Sequence, residues 1–150
     1  MRKRRAWRAF LWCMVLGTAA LIFCFSAQTG EASGGLSERL ARALLRVFAP
    51  AREEALLDRA EFFVRKGAHF GEYAFLAFWI CLLLRDYGVR RCGRAAWGLA
   101  TLYACTDEAH QLLVSGRAGM LRDVIIDSCG ALAGVGVALG ILLIKKQRNR

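Results

Sequence analysis

The chain has 150 residues, 57% of them hydrophobic, and a mean hydropathy of +0.35. This apolar content is too high for an ordinary soluble domain of that size and excludes a small core surrounded by water. A net charge of +10 would suit a nucleic-acid-binding protein. The basic residues, however, lie beside apolar stretches, in segments that are too short to form a folded basic groove.

Four apolar blocks follow one another along the chain, at about residues 7–25, 67–84, 95–114 and 124–144. Each is close to the ~20 helical residues that cross the ~30 Å hydrocarbon layer. The first block follows a basic start, as in a signal peptide, but it is longer than the usual ~7–15 residues and no good cleavage site follows it. We therefore predict an all-α polytopic membrane protein, a single domain over residues 1–150, with four transmembrane helices.

Basic residues cluster before the first block, between the second and third, and after the fourth. They are Arg2, Lys3, Arg4, Arg5 and Arg8, then Arg85, Arg90, Arg91 and Arg94, and finally Lys145, Lys146, Arg148 and Arg150. Short basic segments stay in the cytoplasm, so both termini are predicted to be cytoplasmic. The six cysteines fall within apolar blocks or in the cytoplasmic connection and are predicted to be free.

The longest connection, residues 26–66, is predicted to lie outside the cell. It opens with a turn-like stretch, 28–35, and continues as an amphipathic helix in which Leu36, Leu40 and Leu44 share one face until Pro50 ends it. Such a helix is expected to lie in the outer interface of the membrane. A second helical stretch, 53–64, is expected to run directly into the second apolar block, and residues 115–123 are expected to form a tight outward turn.

Polar residues interrupt the last three blocks. They are Lys66, His69 and Glu72, then Asp107, Glu108, His110 and Gln111, and finally Asp123 and Asp127. An ionisable group inside a bilayer costs ~2.5–3.5 kcal/mol and therefore needs pairing, water or a function. Helix rise places Glu72, Asp107 and Asp127 at a similar depth. Asp127 also lies in line with Gly130 and Gly134, a small-residue stripe typical of helix contacts. We predict one polar pocket open to the outside.

Three interpretations of this pocket remain open. The charges could pair, for example Lys66 or Arg117 with Asp127, and hold the helices together. The carboxylates and histidines could bind a divalent cation, with Mg²⁺, Mn²⁺ or Ca²⁺ favoured over zinc because most ligands are oxygen, although the spacing matches no known ligand signature. Alternatively, Glu108 or His69 could act as a general acid or base while the basic residues hold a phosphate or carboxylate of a membrane-embedded substrate.

A set of short motifs carries a resemblance to a known family. The motifs are Phe25-Ser26-Ala27-Gln28, Lys66-Gly67-Ala68-His69-Phe70-Gly71-Glu72-Tyr73, Asp107-Glu108-Ala109-His110-Gln111, Gly116-Arg117, and Asp123 and Asp127 with Gly130 and Gly134. Together, over residues from about 25 to 134, they resemble the VanZ-like family. The resemblance implies a small bacterial membrane protein related to teicoplanin-type glycopeptide resistance. It implies no agreed reaction.

Eleven positions match the family's motifs and are the predicted site. We assign catalytic roles to His69, Glu72, Asp107, Glu108 and Asp127, substrate-binding roles to Ser26, Gln28, Lys66, Gln111, Arg117 and Asp123, and no metal ligand. The chain is expected in the bacterial cytoplasmic membrane, with membrane lipids and a lipid-linked or peptidoglycan-precursor substrate as partners and without nucleic acid. A hydrolase or transferase, with or without a divalent cation, and a non-catalytic scaffold held by paired charges both remain open.

Overall fold

The computed structural model describes residues 2–148, and helices make up its regular structure. They are α1 (Arg2–Ser26), α2 (Gly30–Phe48), a single 3₁₀ turn (Pro50–Arg52), α3 (Glu53–Asp86), α4 (Cys92–Gln111) and α5 (Leu121–Arg148). No strand occurs among these described residues, so the prediction of an all-α fold is confirmed.

Helices α1, α3, α4 and α5 form an up-and-down bundle. Arg8 near the start of α1 donates to Asp86 at the end of α3 over 2.6 Å, so these two helices are antiparallel. Lys66 of α3 forms an ion pair with Asp123 at the start of α5, so α3 and α5 run in parallel. Helix α4 connects the end of α3 to the start of α5 and packs on both.

The chain direction brings the three basic segments together. The starts of α1 and α4 and the ends of α3 and α5 lie at one end of the bundle, which we call the basic end. The opposite end, called the α2 end, contains α2 and the connections formed by residues 27–29 and 112–120. The net positive charge of this protein is therefore concentrated at the end opposite the predicted polar pocket.

A glycine stripe brings α5 against α3. A Cβ atom at Gly130 would overlap the backbone carbonyl of Phe70, and one at Gly134 would overlap that of Ala74. Both glycines are buried, so the two helix backbones touch at these positions. The predicted small-residue contact face is confirmed, and it fixes the height of α5 relative to α3.

Three helices, and not the predicted four, are long and apolar enough to cross a membrane. They are α1, the segment Pro50–Asp86 that contains α3, and α5. Helix α4 has 20 residues, and every stretch of 18 within it contains Arg94, Asp107 and Glu108. Because each charge is costly in hydrocarbon, its composition does not support an independent span. The surfaces of the three apolar helices expose side chains such as Leu16 and Leu143, which fits contact with lipid.

Two expectations for the long connection differ in outcome. The stretch 53–64 is continuous with the second apolar block, as predicted, in a helix of 34 residues that is about 51 Å long. The predicted turn over residues 28–35 is wrong, because α2 already begins at Gly30. The side chain of Thr29 caps it by accepting a hydrogen bond from the Ala32 N–H over 3.3 Å, which stabilises a helix start despite the glycines.

Helix α2 is amphipathic, as predicted. Ala41 and Leu45 pack against Leu57 in the first half of α3. The opposite side exposes Leu36, Leu40, Leu44, Val47 and Phe48. The helix ends at Phe48, two residues before Pro50, as the sequence indicated.

All six cysteines are free. Cys81 and Cys92 are buried in the bundle core and pack as small apolar residues, whereas the other four lie exposed on its surface. The prediction of free thiols is confirmed, but a packing role inside the core holds for only two of them.

Candidate functional site

The α2 end of the bundle contains an unusual number of buried polar side chains. Ser26, Asp107, Glu108, Gln111, Asp123 and Asp127 are all at most 7% exposed. Buried polar groups normally have hydrogen-bond partners, and an unpaired one costs stability. Residues whose buried polar atoms have hydrogen-bond partners are therefore candidates for a structural role. Residues whose buried polar atoms lack them are candidates for ligand binding.

Three side chains from three different helices meet without satisfying one another. His69 of α3, Glu108 of α4 and Asp127 of α5 offer ligand atoms that lie within 4.8 Å of one another, and we call them the carboxylate–histidine cluster. His69 Nδ1 and Asp127 Oδ1 are 3.6 Å apart, which is too long for a hydrogen bond. Neither these atoms nor Asp127 Oδ2 has a hydrogen-bond partner among the described residues.

Glu108 is held from one side only. Its Oε2 accepts a hydrogen bond from the Met120 N–H over 2.8 Å, whereas Oε1 is buried and has no partner among the described residues. The backbone bond fixes the direction of the carboxylate. It leaves the second oxygen free to contact a ligand.

Four other polar side chains of this end form two pairs. Lys66 Nζ lies 2.6 and 2.7 Å from the two oxygens of Asp123, and both side chains are largely buried. Gln111 Nε2 donates to Asp107 Oδ2 over 3.2 Å. Pairing that holds helices together therefore accounts for Lys66 and Asp123. It does not account for the carboxylate–histidine cluster.

Arg117 joins the connection between α4 and α5 to the end of α1. Its guanidinium donates to the carbonyl oxygens of Gln28 and Phe25 over 3.1 and 2.9 Å. Within residues 2–148 no carboxylate lies within ion-pair distance of it. Burial, and then the nearby positive charge of Arg65, lower the pKa of Arg117. An arginine remains protonated at neutral pH. Arg117 therefore carries a positive charge that no carboxylate of the described residues pairs with.

An apolar cavity of about 190 Å³ lies between α1, α2 and α3. Its apolar wall includes Ile22, Leu36, Leu40 and Val64. Six of the predicted site residues also line it, namely Ser26, Gln28, His69, Glu72, Asp107 and Arg117. We call it the apolar cavity.

A second cavity, of about 420 Å³, adjoins it on the side of the α4–α5 connection. Its basic wall consists of Arg65, Lys66, Arg117 and Arg122, facing the acidic residues Asp58, Glu61 and Asp123. We call it the cationic cavity. The two cavities share Ser33, Arg65, His69 and Arg117 as common wall residues.

All eleven residues predicted from the sequence lie at the α2 end. His69, Glu108 and Asp127 form the cluster, Ser26, Gln28, Glu72 and Asp107 line the apolar cavity, and Lys66, Gln111, Arg117 and Asp123 line the cationic cavity. The structure thus brings them into one region. Their division into catalytic and substrate-binding residues stays a prediction.

Sequence reasoning missed several lining residues. Arg65 precedes His69 by one helical turn, so helical phase could have identified it. Ser33 lies in the stretch that was expected to be a turn, and the Met120 N–H is a backbone donor without a sequence signal. His110 lies outside the cluster, because its ring packs on Phe23 with the centroids 4.8 Å apart.

The arrangement has two chemical capacities. An imidazole and two carboxylates can bind a divalent cation, or they can accept and donate protons during a reaction. Guanidinium and ammonium groups in the adjoining cavity can hold a phosphate or a carboxylate. Neither capacity identifies a reaction by itself.

Comparison with known proteins shows the family of this chain. No curated protein and no solved structure matches it significantly. The model of one protein family, described as VanZ/LLP1, matches residues 10–144, a range that contains every residue of the site described above. The chain therefore belongs to the VanZ/LLP1 family, the VanZ-like family that its motifs resemble.

Proposed function

We propose that this VanZ-like membrane protein acts at the bacterial cell envelope and binds a lipid-linked, cell-wall-related molecule at its α2 end. The observation that carries the proposal is the pair of cavities, one apolar and one basic, that share a wall. A ligand with an anionic head next to a hydrocarbon chain matches this pair, because each cavity offers the chemistry that one part of the ligand needs.

The cationic cavity supplies the charge for the head group. Arg65 and Lys66 already form ion pairs within the protein. Arg117 and Arg122, by contrast, have no carboxylate within ion-pair distance among the described residues, and Arg122 lies over the ring of Phe62. Two unneutralised guanidinium groups favour a phosphate or carboxylate, which they can hold in bidentate fashion.

The apolar cavity supplies the contact for the hydrocarbon chain. Leu36 and Leu40 of α2 line it, and both are also more than half exposed on the outside of the protein. The cavity wall is therefore continuous with an apolar surface. We infer that a lipid can enter from the side of the membrane without leaving hydrocarbon.

The charge distribution supports an outward-facing site. Short basic segments remain in the cytoplasm, and all three lie at the basic end of the bundle. Helix α4 returns through the bundle between α3 and α5. With the basic end in the cytoplasm, the start of α1 and the end of α5 are therefore both cytoplasmic, and the α2 end faces outward. Amphipathic α2 then lies in the outer interface of the membrane.

Two further features belong to the proposal. The family resemblance suggests a role in teicoplanin-type glycopeptide resistance, which predicts a change in teicoplanin susceptibility when the gene is deleted.

The cluster of His69, Glu108 and Asp127 beside the cationic cavity supports a hydrolase or transferase activity on the bound lipid. A scaffold without a ligand would leave both cavities unexplained.

A lipid-binding measurement tests the proposal. The protein in lipid nanodiscs is titrated with a polyprenyl phosphate and with the uncharged polyprenol of the same length. We expect the phosphate to bind at least about tenfold more tightly, since charge-assisted hydrogen bonds contribute ~1.5–3 kcal/mol. Arg122→Gln should weaken phosphate binding about tenfold, while Arg59→Gln, an exposed control outside both cavities, should leave it unchanged. Equal binding of both lipids would contradict the proposal.

A further inference from the structure

The geometry points to a binding site for one divalent transition-metal ion, such as Mn²⁺ or Zn²⁺, formed by His69, Glu108 and Asp127. This inference goes beyond the proposed lipid binding and does not depend on it. The cluster was expected from the sequence to be catalytic, with no metal ligand assigned. Four properties of the three side chains support the assignment.

The first property is the absence of protein partners. Four buried atoms, Nδ1 of His69, Oε1 of Glu108 and both carboxylate oxygens of Asp127, have no hydrogen-bond partner among the described residues. Asp127 is fully buried and Glu108 is 5% exposed. Buried polar atoms without partners are rare, and a carboxylate in this state is especially costly. A bound cation would provide a partner for one of these atoms from each of the three residues.

The second property is the local charge. Two carboxylates face each other across a histidine, while the nearest lysine, Lys66, is committed to Asp123 through two short contacts. Arg117 is engaged by backbone carbonyls. No basic side chain of the described chain is within ion-pair distance of Glu108, and only His69 approaches Asp127. A divalent ion supplies the missing positive charge.

The third property is the size of the space. Three atoms at most 4.8 Å apart can share a central point about 2.8 Å from each, whereas metal–nitrogen and metal–oxygen bonds are ~2.0–2.2 Å long for zinc. Small side-chain rotations close this difference. The ligands come from three helices that pack on one another, and the Gly130 and Gly134 contacts fix the height of α5 relative to α3, so the site is built on helices and not on loops.

The fourth property is the orientation of Glu108 by its surroundings. The Met120 N–H holds Oε2, which turns Oε1 toward the cluster. A Cβ atom at Gly119 would come within 2.5 Å of the Glu108 carbonyl oxygen, so only glycine lets the connection approach this closely. Metal ligands are commonly oriented by hydrogen bonds of this kind.

The donor set selects the class of ion. Mg²⁺ and Ca²⁺ take oxygen ligands, whereas imidazole favours first-row transition metals. One nitrogen among three donors therefore shifts the preference from the magnesium or calcium expected of an oxygen-rich pocket toward Mn²⁺ or Zn²⁺. His69 also lines the cationic cavity, so the remaining coordination positions are open to water or to an anionic ligand.

Metal binding to the purified full-length protein tests the inference. Protein in detergent is stripped with a chelator and titrated with Mn²⁺, Zn²⁺ and Mg²⁺ by calorimetry, and the metal retained after gel filtration is counted. We expect one Mn²⁺ or Zn²⁺ per chain, with Mg²⁺ bound at least about tenfold more weakly. The bound ion should also raise the melting temperature, because it binds only the folded state.

Variants decide whether the three residues form the site. His69→Gln, Glu108→Gln and Asp127→Asn should each weaken binding at least about 100-fold and abolish the rise in melting temperature. Glu53→Gln is the matched control, because it removes a partly buried carboxylate of α3 that pairs with Arg42 and Arg46, outside the cluster and outside both cavities. No stoichiometric binding, or binding unchanged in folded His69→Gln and Asp127→Asn protein, would overturn the inference. Should one variant fail to fold, the other two decide.

Discussion

Two aspartates one helical turn apart on α5 have opposite surroundings. Asp123 is neutralised by Lys66 over 2.6 Å, whereas Asp127 is fully buried and has no hydrogen-bond partner among the described residues. The sequence placed both in one predicted pocket, Asp127 with a catalytic and Asp123 with a substrate-binding role, but it did not show which of them is paired. Their difference arises from the register between α3 and α5, which places Lys66 at the level of Asp123.

The ion pair predicts a stability effect at the residue scale. Lys66→Met would leave Asp123 buried without a counter-charge, which should lower the free energy of unfolding by about 2–3 kcal/mol, somewhat less than the ~3–5 kcal/mol of a fully buried pair. The double variant Lys66→Met with Asp123→Asn should recover most of this loss. Unfolding in detergent micelles measures both. Equal losses in the single and double variants would show that the loss does not arise from leaving Asp123 without a counter-charge.

Helical phase and rise predicted which residues share a region, but not which of them contact one another. Pairing of Lys66 or Arg117 with a carboxylate such as Asp127 was one of the interpretations left open, and the structure pairs Lys66 with Asp123. Distances between side chains on different helices depend on how the helices slide and rotate against each other. That information lies in tertiary packing and not in the spacing along one helix.

At the scale of elements, the contact between α3 and α5 positions the site. Gly134 touches the backbone of α3, and an alanine Cβ there would overlap the Ala74 carbonyl. Because the overlap involves backbone, the helices must move apart, and overpacking of this kind costs ~1–3 kcal/mol or more.

Gly134→Ala should therefore lower the unfolding midpoint in detergent and reduce metal binding, since α5 carries Asp127. Gly136→Ala is the matched control on the same helix, because no atom lies within 4 Å of its new Cβ. Removing a glycine from a helix interior should leave this control as stable as the wild type or stabilise it by ~0.5–1 kcal/mol. A similar loss in both variants would show that close packing at Gly134 does not govern the effect.

The elements themselves were largely predictable, with two instructive errors. The apolar blocks correspond to helices, but α4 contains three charges in a short span and was counted as a fourth transmembrane segment. Helix α2 starts earlier than expected, because glycines in 30–35 indicated a turn while the Thr29 cap and packing on α3 stabilise a helix. Local propensity is a weak guide where caps and tertiary contacts compete with it.

At the scale of the whole molecule, charge asymmetry predicts the orientation. Reporter fusions or cysteine labelling at positions in the basic end, for example Arg90 and Lys146, should show cytoplasmic locations. A label at Ser115, in the connection of the α2 end, should react from outside the cell. Reaction of the Lys146→Cys variant with an external reagent that cannot cross the membrane would contradict the orientation. It would place the cavities on the cytoplasmic side.

The sequence predicted one polar pocket but not the shape of the two cavities. The apolar cavity needs α1, α2 and α3 to come together, and Ile22, Leu36 and Val64 reveal nothing of this individually. The wall that the two cavities share depends on the hydrogen bonds by which Arg117 joins the α4–α5 connection to the end of α1. The polar residues mark the location of the site, whereas its shape is a property of the assembled bundle.

The central claim is that the buried cluster at the α2 end exists for a ligand and not to hold the bundle together. The unfolding free energy of Asp127→Asn, measured in chelator against the wild type, tests it most directly. Because Asp127 is a buried carboxylate without partners, its removal should leave the unfolding free energy within about 1 kcal/mol of the wild type or increase it. Substitutions at functional sites often have this effect, since residues there are selected for function at a cost in stability. A loss of about 3 kcal/mol or more, the size expected when a partner in a buried ion pair is removed, would contradict the claim.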